Sequence, residues 1–89
     1  MPQFISPESW VQSREMFVFR VYPAANMERW TFCVSRSTLE ELEPQSPSSV
    51  AEVFRRCRPE IHRAALRRTS RGAQDADQVL SAQEIRDAR

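Results

Sequence analysis

The sequence predicts a single α+β domain over residues 1–89, in which an antiparallel hairpin sheet of three or four strands is packed by one long, proline-kinked helix plus short helices. Three observations predict this class. The runs 15–22 and 28–35 alternate apolar and polar residues with the period of a strand. The run 50–65 repeats apolar residues with the period of a helix. Ser-x-x-Glu patterns mark helix starts. A chain of 89 residues has room for one hydrophobic core.

The N-terminal segment predicts a short edge strand followed by a turn of helix. Phe4 and Ile5 are the apolar residues of the strand. Ser6, Pro7 and Glu8 then supply a capping residue, a proline suited to the first helical position, and an acid near the positive end of the helix dipole. We expect this helical turn to carry Trp10.

The two alternating runs predict an antiparallel hairpin, because a connection of five or six residues joins them through the break at 23–26. One face of the hairpin carries large apolar side chains, which predicts the core side of the sheet. These are Phe17, Phe19, Val21, Trp30, Phe32 and Val34.

Three capping-box patterns predict three helix starts, at Ser37, Ser49 and Ser81. For the first helix Ser35 competes as the cap, because Val34 and Leu39 would then form a hydrophobic staple, and we favour Ser35. This helix is expected to end at residue 42 or 43, with 44–49 as the linker to the next.

The main helix is predicted over 49–69, and Pro59 lies inside it. Proline removes one helical hydrogen bond and crowds the preceding turn, so we expect a kink, or two helices with Pro59 opening the second. The segment 70–77 predicts a loop, 78–80 a short strand, and the residues after Ser81 a terminal helix of about seven residues.

The placed residues resemble the small bacterial proteins of domain-of-unknown-function family 1488. The resemblance spans nearly the whole chain and rests on Phe4, Trp10, Arg14, Phe17, Phe19, Val34, Ser35, Leu39, Phe54, Arg58, Ile61, Ala65, Leu80 and Ser81. The chain departs from the family's pattern at Val11, at Phe32 and in its longer hairpin turn. The resemblance implies a small α+β fold with a hairpin sheet packed by helices, and it implies nothing about catalysis.

The arginines of the main helix are the strongest functional signal. All 13 basic residues of the chain are Arg, and the net charge is +1. On an ideal helix Arg56, Arg63 and Arg67 lie within about forty degrees of one another, opposite the apolar stripe. Together with Arg55, Arg68 and Arg71 they could contact phosphates, so an Arg-rich helix over 55–71 that binds nucleic acid is one hypothesis. The alternative, which we favour, is a solvated helix face with some Arg–Glu pairs.

Arg58 has two interpretations. It could bind a ligand carboxylate or a partner, or it could form an internal ion pair with Glu15, Glu40 or Glu41, which we favour. His62 is expected to face solvent, since it lies on the polar side of the helix.

The other chemistry-bearing residues predict no catalytic, cofactor or metal site. Cys33 and Cys57 are expected to be reduced, and Cys57 to be an inert buried thiol. No apolar run approaches the roughly 20 residues of a membrane span, and the N-terminus lacks a signal-peptide pattern, so we expect a cytoplasmic protein.

The sequence therefore predicts a small non-enzymatic binding or accessory protein that acts through protein–protein contacts, with another protein or a second copy as partner. Nucleic-acid binding by helix 55–71 is the alternative.

Overall fold

The structure, a computed structural model, describes residues 4–22, 29–45, 49–70 and 77–89. In chain order the elements are β1 (Phe4–Ile5), β2 (Ser9–Val11), β3 (Met16–Tyr22), β4 (Trp30–Ser35), α1 (Arg36–Leu42), α2 (Val50–Thr69), β5 (Gln78–Val79) and α3 (Ala82–Asp87). The α+β class is confirmed. The turn predicted at 23–26, part of the linker 44–49 and most of the loop 70–77 lie outside the described residues.

Over the described residues the sheet has five strands, so the predicted number of three or four was too small. Its order is β1-β3-β4-β5, and β2 also pairs with β3. The β3–β4 hairpin is antiparallel as predicted, with Phe19 opposite Phe32. β5 runs parallel to β4, and Leu80 N donates to Cys33 O at 3.0 Å. The sheet is therefore mixed, although most of its pairings are antiparallel.

The helical turn expected at Trp10 is instead the strand β2. Trp10 pairs with Phe17 of β3. Ser6 does not cap a helix, because its hydroxyl accepts a hydrogen bond from Arg20 N at 2.9 Å, while Ser6 N donates to Arg20 O at 2.8 Å. These bonds keep the chain extended along β3, so pairing with the sheet overrides the local helix signal.

A β-bulge separates β1 from β2. Ile5 pairs with Val21 and Ser9 pairs with Val18, so three residues of the edge strand oppose two of β3. The extra residue shifts the alternation by one. Ile5 and Trp10 consequently lie on the same face of the sheet, and both pack against the hydrophobic core.

The core lies between that face and the three helices. Phe54 of α2 meets the sheet at its centre, with ring centroids 4.8 Å from Phe17 and 6.2 Å from Phe19. Trp30 and Phe32 stack at 6.0 Å. The six large residues predicted for the core side of the hairpin are all buried. Leu39, Leu42, Ile61 and Ile85 bring the helices into the same core.

The helix starts agree closely with the sequence. Ser35 is the cap of α1 and accepts from Thr38 N, as favoured over Ser37. Ser49 caps α2, and Ser81 with Glu84 forms a complete capping box.

α2 is one continuous helix through Pro59, so the alternative of two helices is wrong. Pro59 is exposed, which keeps its ring out of the core packing.

Candidate functional site

The arginines predicted to form a phosphate-binding face are bound to other parts of the protein. Arg63 donates to the Ala88 carbonyl at 2.5 Å, and Arg67 donates to the Asp87 carbonyl at 2.9 Å. Both carbonyls belong to the C-terminal end of α3, where cations are favoured by the helix dipole. Arg56 forms an ion pair with Glu43, at the end of α1, at 2.5 Å.

Helix geometry explains this placement. At about 100° per residue, Arg56, Arg63 and Arg67 lie about 120° from the centre of the apolar stripe, and not opposite it. That flank of α2 faces α1 and α3. The three guanidinium groups therefore attach the two short helices to α2.

Arg68 also attaches neighbouring elements to α2; we call these contacts of Arg56, Arg63, Arg67 and Arg68 the arginine bracing. Its Nε and Nη2 bind both oxygens of Glu84 at 2.9 and 2.5 Å, and its Nη1 binds Gln78 Oε1 at 2.9 Å. Burial alone would raise the pKa of Glu84, but the hydrogen bond and charge of Arg68 together with the hydrogen bonds from Ser81 outweigh it, and the net effect is a lowered pKa. Arg71, also predicted for the phosphate face, lies outside the described residues, and Arg55 is exposed.

Arg58 forms an internal ion pair, as favoured, but with Glu8 and not with Glu15, Glu40 or Glu41. Arg58 Nη2 lies 2.5 Å from Glu8 Oε2. The reason is the bulge, which places Glu8 at the edge of the sheet beside α2. Burial alone would raise the pKa of Glu8, but the hydrogen bond and charge of Arg58, a backbone hydrogen bond and the charge of His62 together outweigh it, and the net effect is a lowered pKa.

His62 lies beside this pair and is half-buried, so the expectation that it faces solvent was wrong. Its ring centroid is 5.4 Å from that of Phe19. Burial and then the charge of Arg58 lower the pKa of His62 below its ordinary value of 6.5. The neutral imidazole is therefore the dominant form at pH 7.

The face of the sheet turned away from the helices is the main exposed apolar surface of the described residues. We call it the open face; its members are Phe4, Val11, Met16, Val18, Arg20, Tyr22, Cys33 and Val79. Phe4 is 56% exposed and Val79 is 51% exposed. Phe4 packs on Tyr22 with centroids 5.8 Å apart. Sequence analysis missed this surface because it needs the pairing of β1 and β5 with the hairpin.

Both cysteines are buried free thiols. Cys33 lies on the open face between Val18 and Val79, and the charges of the Arg14–Asp77 ion pair act on its thiol. Cys57 lies on the core side of α2, as predicted, and its Sγ is 3.7 Å from Glu43 Oε2. Burial raises the pKa of both thiols.

A cleft of about 450 Å³ lies between the end of α1 and the start of α2. Two of its charged residues already have partners, since Arg36 pairs with Glu15 at 3.0 Å and Glu43 pairs with Arg56. Across the described ranges, no three His, Cys, Asp or Glu residues come together in a way that could hold a metal ion. Within the same ranges, none of the helices has both the length and the apolar character that a bilayer crossing needs.

Comparison with known proteins identifies one family. The model of the family described as "Protein of unknown function (DUF1488)" matches residues 3–80. No curated protein and no solved structure matches the chain. The matched range contains all five strands together with α1 and α2, and it ends before α3. The resemblance drawn from the sequence is thus confirmed, and the chain belongs to the DUF1488 family of proteins of unknown function.

Proposed function

We propose that this protein is a small, non-enzymatic accessory protein of the cytoplasm, and that it holds another protein molecule against the open face of its sheet. The observation that carries the proposal is the exposure of two large apolar side chains, Phe4 at 56% and Val79 at 51%, on that one face. The helices bury one side of the sheet only. An uncovered apolar sheet face is a typical site of protein–protein contact.

The composition of the open face supports the same conclusion. Aromatic residues, methionine and arginine are enriched at protein interfaces, and Tyr22, Phe4, Met16 and Arg20 provide all three types. Arg20 lies opposite Thr31 in the middle of the face, where it could serve as a polar anchor. Val18, Cys33 and Val79 lie side by side on three strands of this face, and the side chain of Cys33 is fully buried.

The alternative function, nucleic-acid binding by helix 55–71, has weaker support. Phosphate binding needs guanidinium groups that are directed to the ligand. Arg56, Arg63, Arg67 and Arg68 are instead engaged by carboxylates and carbonyls of the protein itself. A bound phosphate would have to displace these contacts.

The test compares two double variants in a tagged purification from cell lysate, with and without nuclease. Phe4→Glu/Val79→Glu lowers the net charge by two on the open face, and Arg55→Gln/Gln83→Glu lowers it by the same amount at exposed helix positions. We expect a nuclease-resistant protein, or a second copy seen by light scattering, that the helix variant retains and the open-face variant loses.

Salt dependence separates the two functions. An apolar interface should weaken little between about 50 and 200 mM salt, whereas phosphate contacts should weaken steeply over that range. Loss of binding in the helix variant alone, or release by nuclease, would overturn the proposal in favour of the arginine helix.

A further inference from the structure

A second surface cleft, distinct from the open face, lies where the bulge meets α2. Its volume is about 300 Å³, and it is lined by Ile5, Ser6, Pro7, Glu8, Arg58 and His62. This volume is at the small end of the range for ligand sites in proteins. The cleft contains three of the ionisable side chains that the proposed function does not use.

The bulge builds one wall of this cleft. Its two hydrogen bonds between Ser6 and Arg20 fix the edge strand, and the extra residue directs Glu8 toward α2. The other wall is the flank of α2 on which Arg58 and His62 are neighbours, since they are four residues apart on the helix.

Two nitrogens at this site have no hydrogen-bond partner among the described residues: Arg58 Nε and His62 Nε2, both buried. Arg58 donates a hydrogen bond from Nη2 to Glu8, and its Nε donates none to the described residues. Buried polar groups are almost always paired, so two unpaired nitrogens on side chains one helical turn apart indicate an incomplete site.

The chemistry of the site selects the ligand. A carboxylate has two acceptor oxygens, and it can take one hydrogen bond from the guanidinium Nε and one from the imidazole Nε2–H. Ile5 and Pro7 supply an apolar wall for a short hydrocarbon tail. An acid with such a tail fits this lining better than a fully polar anion does.

Binding of a carboxylate in this cleft favours protonation of His62, because the added negative charge needs a compensating positive one. The charged groups that face His62 are Arg58 on its own helix and Glu8 from the bulge, and β3 presents the uncharged ring of Phe19. The charges of Glu8 and Arg58 compensate each other. An incoming carboxylate adds one negative charge, which an imidazolium at His62 would neutralise.

We propose that this cleft binds a small carboxylic acid with an apolar tail, that a rotation of the Arg58 and His62 side chains brings the buried Arg58 Nε and His62 Nε2 to its carboxylate, and that His62 takes up a proton when the acid binds. The acid is a free metabolite or the C-terminal residue of a peptide, which present the same group. The site is independent of the open face.

His62 is the only histidine of the chain, so its ring can be followed by long-range proton–nitrogen NMR without ambiguity. The probe is N-acetyl-valine, and N-acetyl-valinamide is the matched probe without a carboxylate. We expect N-acetyl-valine to move the ring nitrogens toward imidazolium values and the amide to leave them unchanged. Affinity should fall by roughly tenfold per pH unit between the His62 pKa values of the free and bound protein.

Variants of the cleft test the named atoms. Arg58→Lys keeps the charge beside Glu8 but lacks the Nε donor, and His62→Phe keeps the ring packing on Phe19 but lacks the nitrogens. Both should weaken binding at least tenfold, while Arg55→Lys on the same helix should leave it unchanged. Binding by the variant proteins is followed by calorimetry, and their thermal melts show that they remain folded.

Three results would overturn the proposal: equal shifts with N-acetyl-valinamide, undiminished binding by Arg58→Lys, or equal binding of inorganic phosphate. Butyrate and a pentapeptide with a free valine C-terminus then distinguish the two sources. Tighter binding of the peptide assigns the site to a chain terminus, and equal binding assigns it to the free acid.

Discussion

Replacing Arg68 with methionine tests the arginine bracing directly, because methionine keeps an aliphatic stem and removes the guanidinium. The change deletes the two bonds to Glu84, the bond to Gln78 and a longer one of 3.3 Å to the Val79 carbonyl. It therefore loosens both β5 and α3 from α2. Arg55→Met, at an exposed position of the same helix, is the matched control.

The magnitude follows from the burial of the pair. The side chains of Arg68 and Glu84 are 28% and 30% exposed, so the pair lies between a surface ion pair and a buried one. Surface pairs contribute about 0–1 kcal/mol, and breaking a buried pair costs about 3–5 kcal/mol. We expect Arg68→Met to lower the free energy of unfolding by about 2 kcal/mol, and the Tm by about 8–16 °C.

Urea titration followed by tryptophan fluorescence measures the loss, and a double-mutant cycle with Glu84→Gln isolates the pair. Glutamine keeps an oxygen for Ser81 N, so the cap of α3 survives in the cycle. We expect a coupling energy of about 1–2 kcal/mol. Equal losses in Arg68→Met and Arg55→Met, or a coupling energy near zero, would refute the bracing role.

The same pair predicts a pH dependence with a definite sign. Glu84 has a lowered pKa in the folded protein, so its pairing stabilises the fold fully above the ordinary carboxyl value of 4.5 and is lost as pH falls through the folded pKa. The stability difference between the wild type and Arg68→Met should therefore be constant near pH 7 and shrink below about pH 4.5. A difference that stays constant to pH 3 would contradict this assignment.

Three further predictions concern local features. Pro59→Ala should stabilise the protein by about 1–3 kcal/mol in urea titration, because it restores a helical N–H at an exposed site, and a loss of stability would show that the proline shape is needed. Cys33 and Cys57 should not react with Ellman's reagent at pH 8 until urea unfolds the protein, since both thiols are buried with raised pKa values; rapid labelling of either one in the native state would contradict this. Ser35→Ala should cost about 1 kcal/mol in thermal melts and Ser37→Ala less than half of that, because only Ser35 caps α1; the reverse order would move the cap to Ser37.

Local signals predicted most of the fold. The hairpin, the bounds of α2 and the caps at Ser35 and Ser81 depend on residues that are close in the chain, so pattern and spacing were sufficient. β2 was predicted as a helical turn because Ser6 and its neighbours suit either state. The extended state is selected by the hydrogen bonds of Ser6 with Arg20, which is fourteen residues away and therefore outside any local pattern.

The candidate site was less predictable for the same reason. Helix geometry gave the directions of the arginines relative to one another, but not which elements would lie on that flank of α2. The Arg63 and Arg67 partners are backbone carbonyls of α3, which carry no signal in the side-chain sequence. The Arg58–Glu8 pair joins residues fifty positions apart. It depends on a bulge that is visible only in the pairing of β1 and β2 with β3, and not in the sequence.

Because β5 pairs with β4 but follows it by many residues, β4 is synthesised well before this partner strand exists. The residues of β4 that pair with β5 leave the ribosome 46 residues earlier, since Phe32 pairs with Gln78, and translation at about 5–20 residues per second makes the interval a few seconds. Throughout that interval the backbone groups of β4 that β5 will bind are uncovered, beside the apolar Phe32 and Val34. An uncovered strand edge invites pairing with another nascent chain. The edge of β4 is therefore open to aggregation during synthesis, and slower translation between β4 and β5 lengthens that exposure.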